Sequence, residues 1–180
     1  MPKDICLLYC DKKRLITLIG PLGKKSLRIK LKILILKPEK ILVITQISFN
    51  QMSNNEKKKL KPLQGTIISL IKQMILEVSF IFSKKLMFVG VGYKAFPIKL
   101  FKNQILQFKL GYSHQIYFKV LSNLNVCCHK ATTMFISGNS NQNVNHTAAL
   151  IRSYMYPEPY KGKGILFFNE KIILKEKKKV

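Results

Sequence analysis

The sequence predicts an α+β protein made of two tandem, similar small domains, each an antiparallel sheet with one helix packed on a face. Two observations support this prediction. Strand patterns followed by one helix occur twice along the 180 residues. Apolar residues make up 47% of the chain, which is enough to bury a core. The boundary is expected near Ser83 and Lys84, which gives domains 1–83 and 84–180.

The first half contains a turn, two strands, a loop and a helix. Basic and apolar residues alternate from Arg28 to Ile35, which predicts a half-buried strand, and a turn from Gly20 to Gly23 precedes it. A second strand is expected from Ile41 to Ile47, and an exposed polar loop from Asn50 to Lys61. The helix from Thr66 to about Phe82 has only a narrow polar stripe, so it is expected to be mostly buried; the stripe contains Ser69, Lys72, Gln73 and Glu77.

The second half repeats this order. Strands are predicted over Lys85–Tyr93, Leu106–Tyr112 and Thr132–Ile136. A helix follows, because apolar residues recur at i, i+4, i+7 and i+11: Val144, Ala148, Ile151 and Met155. Pro157 ends this helix, and the tail contains a short strand from Ile165 and a flexible basic extension from Lys175.

The charge balance points to a polyanionic partner. The chain has 32 Lys plus Arg against 8 Asp plus Glu, a formal net charge of +24. A solvated surface does not need that imbalance, and self-repulsion would destabilise the folded state unless a polyanion relieved it. The high apolar content excludes general disorder. Nucleic acid is therefore the favoured partner class.

The segment from Pro157 to Gly164 is the strongest candidate for the binding site. Its two prolines predict an extended backbone. Glycine lets the backbone approach a bulky neighbour, lysine supplies positive charge, and tyrosine offers a flat face for stacking. The residues concerned are Tyr160, Lys161, Gly162, Lys163 and Gly164. Together they suit a grip on a sugar-phosphate backbone.

A nucleotide-dependent enzyme is the alternative hypothesis. The run from Gly90 to Ala95 matches a relaxed dinucleotide fingerprint, glycine-x-glycine-x-x-alanine. However, Phe96 and Pro97 interrupt the helix that the fingerprint requires, and residues 110–118 contain no Asp or Glu. These glycines are better interpreted as a strand end or bulge that presents Tyr93 and Lys94. No catalytic residues are predicted, since the acidic residues are scattered.

Metal, cofactor and membrane sites are not expected. Four cysteines are present, Cys6, Cys10, Cys127 and Cys128, but their spacing fits no common zinc site, so buried or idle thiols in a reducing compartment are favoured. The longest apolar region, Ile67 to Phe82, is too short to span a membrane. A third hypothesis, a basic membrane-surface protein, would need an amphipathic helix rich in lysine, and the two predicted helices carry few.

Three runs resemble the signature sequences of the ribosomal protein L6 family of the large subunit: Lys84–Ala95, Leu110–His114 and Pro157–Gly164. The resemblance implies two duplicated α+β domains and a structural protein that is not an enzyme. It implies binding to large-subunit rRNA, chiefly through the C-terminal domain, near the sarcin-ricin region at the base of the factor-binding stalk. Neighbouring ribosomal proteins would be permanent partners, and elongation factors would come close transiently.

The resemblance also implies an RNA-binding set: Lys94, His114, Tyr160, Lys161, Gly162, Lys163, Gly164, Lys175, Lys177 and Lys178. Some positions depart from the family pattern. Lys94 stands where arginine is common, and lysine keeps the charge but loses the bidentate fork. Ile68, Leu166 and Ile173 stand where arginine is frequent and lose both.

Amino-acid usage indicates the origin of the gene. Lys, Ile, Asn and Phe are abundant, whereas Trp is absent and Arg is scarce, as a strongly AT-rich coding sequence produces. The N-terminus has no arginine-rich import sequence. We therefore expect a mitochondrial ribosomal protein made inside the organelle, in preference to a plastid protein or one from an AT-rich bacterium.

Overall fold

The structure is a computed structural model, and it describes residues 4–29, 34–36, 41–43, 53–100 and 103–176. The chain divides into two compact units, Met1–Phe80 and Ile81–Val180. Each unit combines antiparallel sheets with one α-helix among its described residues, which confirms the predicted α+β class. The expected boundary at residues 83 and 84 lies inside a strand of the second unit.

The first unit has two small sheets and a long helix. Its elements are β1 (Cys6–Cys10), β2 (Leu15–Gly20), β3 (Gly23–Arg28), β4 (Leu34–Leu36), β5 (Ile41–Val43) and α1 (Asn54–Ser79). Strands β1, β2 and β3 form one antiparallel sheet in that order, and β4 pairs with β5 in another. The predicted turn is confirmed, because residues 21 and 22 join β2 to β3 in a hairpin.

The strands of the first unit differ from the prediction in number and extent. The expected strand over residues 28–35 is represented only by the last residue of β3 and the start of β4; residues 30–33 lie outside the described residues. The expected strand over 41–47 includes β5, and its remainder is also outside them. Strands β1 and β2 were not predicted. In β2, apolar residues occupy both faces, although only Ile16 and Leu18 are fully buried, so the sequence shows no alternation.

Helix α1 begins well before the predicted position. Residues 54–61 were expected to be an exposed loop, and the structure shows them as helix. Pro62 and Gly65 lie inside the helix, although proline and glycine more often mark its ends. A start signal was available: Ser53 with Glu56 three residues later matches the capping-box pattern, and the Lys57 N–H donates to the Ser53 carbonyl oxygen at 3.0 Å.

The burial of α1 also differs from the prediction. One face packs on the β1–β2–β3 sheet through residues at i, i+4, i+7 and i+11: Ile67, Ile71, Met74 and Val78. The helix was expected to be mostly buried, and this is wrong, because Ile68, Leu70 and Leu76 are exposed. Conversely, Glu77 of the presumed polar stripe is buried. A single small sheet covers only one side of a helix, so apolar residues remain on the other.

Glu77 is buried because it has charged and polar partners. Lys25 on β3 donates to Glu77 Oε2, and Gln73 Nε2 donates to Glu77 Oε1 at 2.9 Å. The Glu77 side chain is only 4% exposed, while that of Lys25 is 33% exposed. This ion pair joins α1 to the sheet. A buried carboxylate that loses its cation is destabilising, because its desolvation is no longer compensated.

We therefore expect Lys25→Met to lower the free energy of opening of the first unit by about 2–3 kcal/mol, somewhat below a fully buried pair because lysine is partly solvated. Hydrogen exchange of the α1 amides measures this opening directly. Lys24→Met removes the same charge from an exposed neighbouring position and should have little effect. Replacing both Lys25 and Glu77 by apolar residues should recover much of the loss. Equal effects of Lys24→Met and Lys25→Met would contradict this account.

The second unit places one helix and a small sheet on the same side of a larger sheet. Its elements are β6 (Phe82–Val89), β7 (Lys94–Leu100), β8 (Asn103–Lys109), β9 (Ile116–Lys119), β10 (Leu124–Lys130), β11 (Thr133–Gly138), α2 (Asn141–Ser153) and β12 (Gly164–Phe167). The four-stranded sheet has the order β10–β11–β6–β12, and the three-stranded sheet has the order β7–β8–β9. All described pairs are antiparallel.

The core of this unit lies between these layers. Helix α2 buries Val144, Thr147, Ala148 and Ile151, which confirms most of the predicted stripe. Phe88 from the larger sheet stacks on Phe108 from the smaller one, with ring centroids 5.7 Å apart. The predicted strands correspond to β6, β8, β11 and β12, each displaced by a few residues at its ends. The remaining strands, β7, β9 and β10, were not predicted.

Candidate nucleic-acid interface

The loop from Pro157 to Gly164 is closed on itself. The Gly162 N–H donates to the Glu158 carbonyl oxygen at 2.9 Å, and the Glu158 N–H donates to the Lys163 carbonyl oxygen at 2.8 Å. Gly162 has φ +67°, which reverses the chain. The expected extended conformation is therefore wrong, because local hydrogen bonds fold the segment into turns. Lys161 is exposed and Lys163 half-buried, so strand alternation does not relate them.

Gly164 closes the base of this loop. It has φ +149°, and a Cβ atom there would lie 2.6 Å from the Pro157 Cα atom. The next residue, Ile165, donates its N–H to the Met155 carbonyl oxygen at 2.9 Å. Gly164 also begins β12 opposite Val89, the last residue of β6. The two ends of the loop are therefore anchored to each other and to the sheet.

The tail packs against the same loop. The Lys175 N–H donates to the Pro159 carbonyl oxygen at 2.9 Å. A Cβ atom at Gly162 would lie 3.4 Å from Leu174 Cδ2. The expected flexible extension is therefore wrong for the part up to residue 176, because this hydrogen bond holds it. Lys177 and Lys178, also expected to bind RNA, lie outside the described residues.

The run Lys84–Ala95 contains most of β6, the turn that follows it and the start of β7. The Tyr93 ring is half-buried between two glycines: a Cβ atom would lie 2.9 Å from the ring at Gly90 and 3.2 Å from it at Gly111. This close approach explains why both positions are glycine. The glycines were expected to present Tyr93 and Lys94; Lys94 is exposed at the start of β7, but Tyr93 fills the space between the turns.

Lys94 lies opposite a second lysine that sequence reasoning missed. In the β7–β8 ladder its partner is Lys109, and both are exposed. Like charges directly across a strand pair repel each other. A bound phosphate would relieve this repulsion. The strand register that creates the pair could not be read from the sequence, although Lys109 was within a predicted strand.

The run Leu110–His114 contains an aromatic pair. His114 is exposed and stacks on Tyr112, with ring centroids 5.6 Å apart and 23° between their planes. The Tyr112 hydroxyl donates to the Tyr154 carbonyl oxygen at 2.9 Å, just after α2. Tyr112 thus links the β8–β9 loop to the segment that leads into Pro157. The sequence pattern alone predicted no role for Tyr112.

These contacts bring the three runs together near the end of β6 and the start of β12. We use the name signature face for the basic and aromatic residues of this region: Lys94, Lys109, His114, Tyr160, Lys161, Lys163 and Lys175. Tyr160 is 47% exposed and available for stacking. Lysine ammonium groups can donate hydrogen bonds to phosphate oxygens. The hydrogen bonds that close the loop fix the backbone of Lys161 and Lys163. Two apolar residues that stand where arginine is frequent in the family differ in burial: Leu166 is buried and Ile173 is exposed.

The geometry does not support the nucleotide fingerprint. After Gly92 the chain enters β7, where the fingerprint requires the start of a helix. The expectation that the helices carry few lysines is also wrong, since α1 includes Lys57, Lys58, Lys59, Lys61 and Lys72. Most of these lie in its first two turns and not along one stripe, as a membrane-surface helix requires. Among the described residues, no helix has the length and apolarity needed to cross a membrane.

The four cysteines are free thiols; Cys6, Cys10 and Cys127 are exposed and Cys128 is half-buried, so none is buried as one alternative expected. Within the described ranges, no group of three or more His, Cys, Asp or Glu residues could hold a metal ion. Burial, and secondarily the neighbouring Cys127, raises the pKa of Cys128. A raised pKa favours the protonated thiol, which is a poor metal ligand and a poor nucleophile.

Comparisons with known proteins point in one direction. The family model for ribosomal protein L6 matches residues 89–167, which include most of the signature face. The large ribosomal subunit protein uL6 of Mycoplasmoides gallisepticum is 39% identical over 164 residues, covering 91% of this chain and 84% of the relative. That of Bordetella petrii is 33% identical over 164 residues, covering 91% and 86%. That of Spiroplasma citri is 44% identical over 124 residues, covering 69% and 67%.

Proposed function

Because the chain belongs to the ribosomal protein L6 family, we propose that it is a structural constituent of the large ribosomal subunit and not an enzyme. In this role it binds large-subunit rRNA, chiefly through residues of the second unit. The observation that supports the proposal is that three separated signature runs contact one another in the fold, with Lys94, Lys109 and Lys161 exposed. Neighbouring large-subunit proteins are its other partners.

The mechanism of binding is electrostatic and geometric. The exposed lysines of the signature face neutralise phosphates and release counterions. Tyr160 and the His114–Tyr112 pair offer flat surfaces to an unpaired base or a sugar. Since double-stranded RNA hides most of its base edges, recognition depends on backbone and shape. The hydrogen bonds that close the Pro157–Gly164 loop reduce the entropy lost on binding.

A binding measurement tests this function. We expect the full chain to bind a large-subunit rRNA fragment with an affinity that falls steeply as salt rises, by a slope of about −0.7 to −0.9 per phosphate contact on logarithmic axes. An affinity that does not change with salt would contradict the proposal. Calorimetry with common nucleotides tests the enzyme alternative; saturable binding that is abolished by Gly92→Val would favour it.

The finer location is also a proposal. The chain lies near the sarcin-ricin region at the base of the factor-binding stalk, where elongation factors come close transiently. The ribosome concerned is mitochondrial. The AT-type amino-acid usage supports an organelle gene. The relatives named above are bacterial and support the ribosomal location, not the organelle. The location of the gene tests this: a mitochondrial genome is expected, and a plastid or bacterial chromosome would contradict it.

A further inference from the structure

A groove of about 500 Å³ lies on the second unit, apart from the residues of the signature face. It is lined by two lysines, three phenylalanines and two small polar residues: Ser83, Lys84, Lys85, Phe135, Phe167, Phe168 and Asn169. None of these residues belongs to the signature face. The volume is within the range that protein sites for small organic groups occupy, and the lining contains no carboxylate.

The backbone around the groove is well anchored. Phe135 on β11 lies directly opposite Lys85 on β6 in the strand register. The turn after β12 is fixed to β6, because the Phe168 N–H donates to the Lys85 carbonyl oxygen at 3.1 Å. The same turn is closed by the Glu170 N–H, which donates to the Phe167 carbonyl oxygen at 3.0 Å. The backbone that carries the three phenylalanines is therefore held by the sheet and the turn.

Both lysines of the groove lie near aromatic rings of its lining. The Lys85 ammonium lies 4.0 Å from the Phe168 ring centroid and 5.5 Å from that of Phe135. The Lys84 ammonium lies 5.9 Å from the Phe167 ring centroid. Phe168 is 56% exposed and Phe135 is 37% exposed, so each ring still presents surface to solvent. Each ammonium lies against only one side of a ring, which leaves ring surface for another flat group.

We propose that this groove binds a single-stranded RNA segment, with an unpaired base on Phe168 and Phe135 and its flanking phosphates held by Lys84 and Lys85. The proposal rests on the chain working within an RNA–protein particle, as proposed above. Exposed aromatic rings beside lysines form the stacking platform that single strands use. Ser83 and Asn169 add hydrogen-bonding groups that can meet base edges. An acidic peptide would pair with the lysines but would have no need of the exposed rings.

The test uses the full chain and two probes, a short fluorescent uridine RNA and the same backbone without bases. Phe168→Ala should weaken binding of the uridine RNA about five- to tenfold, the low end of one base–aromatic stack, and leave the base-free probe unchanged. Phe168→Leu keeps an apolar side chain without the ring and should behave like Phe168→Ala. Tyr117→Ala removes an aromatic residue that is 59% exposed and outside the groove, and it should bind like the original chain.

Circular dichroism shows whether each variant folds; if Phe168→Ala does not, Phe168→Leu decides. Unchanged affinity of a folded Phe168 variant for the uridine RNA would overturn the proposal. So would an equal loss on the base-free probe, since stacking would then not contribute. Binding of an acidic peptide that is weakened by Phe168→Leu, with RNA unaffected, would identify a protein partner and overturn it too. In all these cases the salt-dependent rRNA binding of the original chain would survive, so the proposed function is tested separately.

Discussion

Reversing the charge at Lys161 and Lys163 is expected to prevent stable incorporation of the chain into large ribosomal subunits. Lys161 is exposed and Lys163 half-buried in a loop that is closed by its own backbone hydrogen bonds. Loss of two charge-assisted contacts at about 1.5 kcal/mol each weakens rRNA binding roughly a hundredfold, and the new glutamates add repulsion. The measurement is the fraction of the tagged double variant that sediments with large subunits in a sucrose gradient.

The matched control is Lys57→Glu with Lys58→Glu, which changes the net charge by the same amount. These lysines lie in the first two turns of α1, close to its N-terminus, where glutamate interacts favourably with the helix dipole, so folding should not suffer. We expect this control to be incorporated nearly as well as the original chain. Equal loss in both variants would mean that total charge, and not the loop, determines binding.

Gly164→Ala is expected to disrupt the same loop through the backbone. The new Cβ atom would lie 2.6 Å from the Pro157 Cα atom and 2.7 Å from its nitrogen, so no side chain can move aside to accept it. The residue also has φ +149°, which alanine rarely adopts. We expect a loss of about 3–5 kcal/mol in the stability of the second unit. Chemical denaturation of the full chain, with hydrogen exchange of β12 amides, measures this loss.

Gly92→Ala separates the two causes. Gly92 also has a positive φ, +75°, but a Cβ atom there would meet nothing within 4 Å. This control therefore carries the conformational strain without the clash, and it should cost only about 1 kcal/mol. If both substitutions cost the same, the contact with Pro157 is not what holds the loop closed.

The fold class was predictable because both helices and several strands carry clear hydrophobic periods. Helix α2 shows this best, since its apolar residues recur at helical spacing and Pro157 follows it. Helix α1 was predicted only in its second half, because Pro62 and Gly65 conceal the earlier turns. Strand β2 was missed because its exposed residues are as apolar as its buried ones. In these elements tertiary packing overrides local pattern.

The binding loop was identified from residue types, but its conformation was not. The glycines of the run indicated close access to its backbone and the lysines indicated positive charge, which the exposed Lys161 provides. The closure depends on backbone hydrogen bonds between Glu158, Gly162 and Lys163, which residue types do not specify. The opposition of Lys94 and Lys109 depends on strand register and was likewise out of reach. The pairing of residues on different strands becomes visible only once the fold is known.

The most direct test of the account is a structure of the large ribosomal subunit purified from cells that make this chain. We expect density for the chain in the subunit, with Tyr160, Lys161 and Lys163 in contact with rRNA phosphates or sugars. Lys94 and Lys109 should lie on the same RNA-facing side. Absence of the chain from the subunit would contradict the proposed function. A bound chain whose signature face is turned to solvent would contradict the assignment of the binding site.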